Sequence, residues 1–136
     1  MWEVDAGVVL ARWESGPAAS AVAAIGEGLD AFAAAHGMSR GARRDVRAAV
    51  SEAVTDALGR LRRDHEPGSV CVDAATDGVW LSVQVTDRAG MRGAGSDEAL
   101  PVVHRVPHRL ERAADATGTY LMMEFAMRPD GPALRR

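Results

Sequence analysis

The sequence predicts an α+β domain built as a two-layer sandwich, with about three helices on one face of an antiparallel or mixed sheet. Three observations predict it. Residues 39–64 form a long amphipathic segment with one broad apolar stripe. Two alternating runs, 70–76 and 79–85, are separated by Asp77-Gly78, the strongest short-range signal of a hairpin. The segments follow one another as strand, helix, helix, hairpin, loop, helix, strand, an order that suits helices packed on one side of a largely antiparallel sheet. At 136 residues, with 47% hydrophobic and 26% charged content, the chain has the size of one domain, residues 1–136, able to bury its own core.

Each element has its own signal. Residues 8–13 are rich in β-formers and are stopped by Ser15-Gly16-Pro17, which marks an opening strand. A helix is expected next with Pro17 at its first position. Val22, Ile25, Leu29, Phe32 and His36 recur at spacings of three and four, and Gly37 is a natural stop. Ser39 can cap the second helix, which Glu66-Pro67-Gly68 ends. At about 100° per residue, Val46, Ala49, Val50, Ala53, Val54, Ala57, Leu58 and Leu61 share one face, and Asp45, Glu52 and Asp56 line one border of it. After the hairpin, residues 87–98 are polar and glycine-rich and read as a mobile loop. Leu100, Val103, Val106 and Leu110 predict a third helix, kinked or shortened by Pro107. Residues 118–127 are the last strand, and 129–136 a frayed tail.

Composition excludes several functions. The net charge of -3 provides no basic footprint for nucleic acid. All 16 cationic residues are arginine, so lysine-dependent phosphate loops and lysine catalysis are ruled out. The single Cys71 lies in a strand-like run and reads as a small buried hydrophobe, in keeping with a reducing compartment. No apolar run approaches the roughly 20 residues of a membrane-spanning helix. Glu3 and Asp5 stand where a signal peptide carries positive charge, so the expected location is the cytoplasm. His104 and His108 are four apart, but Pro107 between them disturbs the helix that a metal pair needs. Trp2, Trp13 and Trp80 read as core or interface residues.

The stretch Ser51-Glu52-Ala53-Val54-Thr55-Asp56, followed by a hairpin that runs into Asp87-Arg88-Ala89-Gly90, resembles the anti-sigma-factor serine/threonine kinases of the GHKL (Bergerat-fold, histidine-kinase-like) ATPases. The element order matches as well, down to Gly118-Thr119 at the head of the last strand. The resemblance implies ATP and Mg²⁺ as cofactors. It makes Glu52 the general base and Asp56 the Mg²⁺ ligand, one turn apart on a single helix face. It makes Asp87 the acceptor for the adenine amino group and places Thr119 near adenine. Gly90 belongs to the same cofactor-binding motif, and Arg88 and Arg92 stand as phosphate contacts. The implied partners are a sigma factor and an anti-anti-sigma protein, the latter phosphorylated by ATP. A homodimer is implied too, with the apolar opening strand as its edge.

The sequence departs from the family pattern at three places. Asp56 replaces a neutral asparagine and adds negative charge beside the triphosphate. Ala89 and Met91 replace the glycines that let backbone approach the base. Gly95-Ser96-Asp97-Glu98-Ala99-Leu100 brings two acids to the place of the phosphate-cradling glycine motif. The alternative is therefore a nucleotide-independent protein-interaction module on the same fold. A third reading is an unrelated α+β ligand-binding domain.

Overall fold

The computed structural model describes residues 9–16, 20–64, 68–87, 101–115 and 118–128. The elements are β1 (Val9–Ser15), α1 (Ala21–Ala35), α2 (Arg40–Asp64), β2 (Val70–Thr76), β3 (Trp80–Asp87), α3 (Pro101–Arg105), β4 (Arg109–Asp115) and β5 (Gly118–Ala126). The strands form one sheet in the order β1-β2-β3-β5-β4, and every neighbouring pair is antiparallel. The fold class is α+β as expected, and the sheet is antiparallel throughout.

Register decides which side chains face the helices. Because side chains alternate along a strand, residues that pair across strands share a face. One such row runs Ala11–Ala74–Val83–Met123–Leu110, the next Trp13–Val72–Val85–Leu121–Arg112, and the third Ser15–Val70–Asp87–Thr119–Ala114. Ala74, Val83, Met123, Val72, Val85 and Val70 belong to the same buried cluster as the apolar faces of α1 and α2. The third row carries this helix-facing side to the end of β3, so Asp87 points toward the helices.

All eight residues of the stripe on α2 are buried. The helix begins as Ser39 predicts, with the Ala42 N–H donating to Ser39 Oγ at 3.2 Å. The Ser39 N–H donates to the Met127 carbonyl at 3.1 Å, which ties the start of α2 to the chain just past β5. On α1, Ile25 and Leu29 are buried and Phe32 is half-buried. Phe32 meets Trp13 of β1 edge to face, with ring centroids 6.2 Å apart. Gly28 permits that approach, because a Cβ there would lie 2.5 Å from Trp13 Nε1.

Three elements differ from the reading of the sequence. Helix α1 starts at Ala21, and Ser20 before it makes no side-chain cap bond; Pro17, its expected first residue, lies outside the described residues. The β2–β3 connection is Asp77 to Val79, longer than a two-residue turn, because Asp77 Oδ1 accepts from the Val79 and Trp80 N–H groups, both at 2.9 Å. The third helix is Pro101–Arg105, with the predicted Leu100 outside the described residues, and Leu110 lies on a further strand, β4. Pro107 has no N–H to continue a helix, and the next residue, His108, donates to the Glu124 carbonyl at 2.8 Å. That bond starts the β4–β5 ladder. The spacing of Leu100, Val103, Val106 and Leu110 thus mixed a helix with a strand. The predicted loop 87–98 begins one residue later, since Asp87 pairs with Val70 and Thr119 as the last residue of β3; residues 88–98, the tail 129–136 and Trp2 lie outside the described residues. No described helix is long and apolar enough to cross a membrane.

Candidate functional site

Glu52, Asp56 and Arg60 occupy successive turns of α2, so the three side chains form a line on one helix face. That line borders the buried stripe and looks onto the row that holds Asp87 and Thr119. Asp87 ends the central strand, where β2 and β5 flank it through Val70 and Thr119. It is 1% exposed and is the one buried carboxylate among the described residues. Gly118, at φ 149°, opens β5 in a backbone conformation that side-chain-bearing residues rarely adopt, and it sets Thr119 beside Asp87.

Arg60 gathers this group together. Its Nε and Nη2 donate to Asp87 Oδ2 at 3.1 and 2.5 Å, and Nη2 also donates to Thr119 Oγ1 at 2.9 Å. Nη1 donates to Asp56 Oδ2. Thr119 donates twice to Asp87, from Oγ1 to Oδ2 at 2.7 Å and from its N–H to Oδ1 at 3.3 Å. A planar guanidinium suits such an arrangement because its donors are fixed in a fork. Burial opposes the Arg60 charge, but the hydrogen bonds and field of Asp87, then those of Asp56, prevail and raise its pKa above the ordinary arginine range. Arg60 is cationic at every accessible pH.

Glu52 stands apart from this network. Its Oε1 accepts from the Val103 N–H at 2.8 Å, which fastens α3 to α2. Asp45, on the same border of the stripe, is exposed. The structure thus brings Asp56, Asp87 and Thr119 together around one point and sets Glu52 one turn further along. Gly90, Arg88 and Arg92 lie outside the described residues. The residue that sequence reasoning missed is Arg60. The sequence shows its place, four residues after Asp56 on the same helix face, but not the inward turn of its side chain.

Residues 16–125 match the family model described as the histidine kinase-like ATPase domain. The chain belongs to this family. The matched span takes in α1, α2, β2, β3 and Glu52, Asp56, Arg60, Asp87 and Thr119. No curated protein matches the chain.

The histidine kinase-like ATPase family implies ATP and Mg²⁺, and the described residues can be tested for them. Both oxygens of Asp87 already accept hydrogen bonds, and the carboxylate is closed off from solvent. Asp56, the expected Mg²⁺ ligand, is ion-paired to the same guanidinium. With Arg60 seated on Oδ2 and the carboxylate buried, the lone pair left on Oδ1 has no exposed face for an adenine amino group. In this arrangement the residues do not fit the nucleotide.

Proposed function

We propose that this histidine kinase-like domain is a regulatory protein of the anti-sigma-factor serine kinase type. It acts by binding a sigma factor and an anti-anti-sigma protein in alternation. The observation that supports the reading is the convergence of Asp56, Asp87 and Thr119, with Glu52 one turn away, at the positions that the resemblance assigns. A homodimer formed through β1 belongs to the same reading. That strand is at the edge of the sheet, and its Leu10 is 47% exposed.

Phosphorylation of the anti-anti-sigma protein, with Glu52 as general base, would require Arg60 to leave Asp87. The nucleotide-independent interaction module is therefore the reading that Arg60 favours. Size-exclusion chromatography of the chain mixed with each candidate sigma factor and anti-anti-sigma protein tests the proposal. Stable co-elution with either supports it. Failure to bind any member of both classes sinks it. Incubation of the complexes with ATP and Mg²⁺, followed by intact mass measurement, separates the two variants. A phosphoryl adduct on the anti-anti-sigma protein decides for catalysis.

A further inference from the structure

We infer that Arg60 is an internal ligand of Asp87: its guanidinium takes the place of an adenine amino group on that carboxylate and keeps the histidine kinase-like site shut to adenine nucleotides. It stands on these side chains alone and not on which partners the domain binds.

Three features carry it. The first is occupation of the acceptor. Asp87 Oδ2 receives the Arg60 Nε and Nη2 donors and the Thr119 hydroxyl, while Oδ1 receives the Thr119 N–H. The second lone pair of Oδ1 is left, but the carboxylate is 1% exposed, so a further donor reaches it only if the groups packed over Asp87 move. The second is charge. Asp87 is buried, and burying a carboxylate is costly unless it is paired and hydrogen-bonded. Adenine offers a neutral amino group, so the exchange of Arg60 for adenine replaces a buried ion pair with a neutral contact. The third is span. Through Nη1 the same guanidinium also holds Asp56, and through Nη2 it holds Thr119. Release of Arg60 therefore breaks contacts to α2, β3 and β5 together.

A site whose competent state is rarely populated binds with an affinity reduced by that population. Arg60 thus sets specificity by exclusion: the chain's own side chain occupies Asp87, in contrast to a carboxylate left free for a nucleotide. The inference differs from simple degeneration of the motifs, because it assigns the block to one residue and predicts that removal of that residue lifts it.

The test is calorimetric titration of the full chain with ATP in Mg²⁺, wild type against Arg60→Ala, each first shown folded by circular dichroism. We expect no detectable heat for the wild type at millimolar ATP, and binding at least a hundredfold tighter for Arg60→Ala. Equal affinity in the two proteins overturns the inference. So does the absence of binding in both, since Arg60 would then not be what bars the nucleotide. A second measurement covers the case in which Arg60→Ala does not fold. In ¹⁵N NMR spectra of the wild type, the Arg60 Nε–Hε signal, identified by its loss in Arg60→Lys, should be resolved and protected from exchange. It should stay in place when millimolar ATP and Mg²⁺ are added. A shift or loss of that signal on addition of ATP also overturns the inference. Partner co-elution is not used in either experiment, so failure of the functional proposal leaves these outcomes readable.

Discussion

Arg60 and Asp87 depend on each other more than an exposed ion pair would, because the carboxylate is 1% exposed and cannot turn to water if its partner is removed. Breaking a buried pair by deleting one member costs about 3–5 kcal/mol, most of it the stranded charge. Two Thr119 donors remain on Asp87 and reduce that cost, so Arg60→Met is expected to destabilise the domain by about 3 kcal/mol in urea unfolding. A double-mutant cycle with Asp87→Asn should show a coupling of about 1.5–3 kcal/mol; additive effects would mean that the two side chains do not form a unit. Cys71 supplies a pH test. Burial is the largest cause that raises its thiol pKa above 9.0, and the negative charge of Asp73 adds to it. A folded-state pKa raised above the unfolded value means that stability is intact below the ordinary thiol range and falls as pH rises through it toward the folded value. Urea midpoints measured upward from about pH 8 should therefore decline more in the wild type than in Cys71→Ala. At this scale the sequence was half legible. Leu81, Val83 and Val85 alternate, and Asp87 continues their parity, so a carboxylate on the core side could be read from the strand alone. Arg60 could not be read in the same way, because an arginine beside an apolar stripe normally extends its long stem to carry its charge into solvent. Only the register that puts Asp87 beneath α2 shows why it turns inward.

Among the elements, α2 was fully legible because its signal is long and periodic: the eight predicted stripe residues are all buried, and Ser39 caps it. Strand β4 was not legible. It is an edge strand with one neighbour, and its alternation in Arg109, Leu110, Glu111 and Arg112 carries only one large apolar residue. A few residues upstream, Val103 and Val106 belong to a different element or turn, yet with Leu110 they mimic helical spacing. The short α3 lacks the length to be stable alone and depends on its docking to α2, where Val103 is buried and Glu52 accepts its N–H. Glu52→Ala leaves that amide without its acceptor and should cost about 1 kcal/mol, while Glu52→Gln keeps an oxygen in place and should cost less. Equal losses in the two variants would show that the bond does not hold α3. Packing of α1 on β1 is tested by Gly28→Ala. The added Cβ would meet the indole of Trp13, a rigid ring already set against Phe32. We expect a loss of about 1–3 kcal/mol together with a changed tryptophan emission spectrum, and unchanged emission would place the clash elsewhere.

For the molecule as a whole, the ion-paired group of Asp56, Arg60 and Asp87 decides how stability responds to ions and ligands. A protein that binds an ion only when folded gains RT ln(1 + [L]/Kd), about 4 kcal/mol at a thousandfold excess over Kd, and loses it when the ion is stripped. Such dependence is expected where a cluster of carboxylates meets in a cleft with only the ion to neutralise it. Here Asp56 and Asp87 share one guanidinium, which offsets one of their two charges from within the chain and hydrogen-bonds both. Among the described residues, no group of three or more histidine, cysteine, aspartate or glutamate side chains is placed to hold a metal. The helices and the sheet also share one continuous apolar cluster, from Ile25 and Leu29 of α1 through the stripe of α2 to Val83 and Met123. No part of this core waits for a ligand to complete it. The domain should therefore unfold in a single transition, with the same thermal midpoint before and after exhaustive dialysis against EDTA. Addition of millimolar Mg²⁺ should leave that midpoint within a degree or so, since a weakly populated ion site adds little to stability. A fall of several degrees on chelation would mean that a metal, not Arg60, balances the two carboxylates. With Arg60→Met the expectation reverses. The uncovered Asp56 and Asp87 should then respond to Mg²⁺ with a rise in midpoint that the wild type does not show.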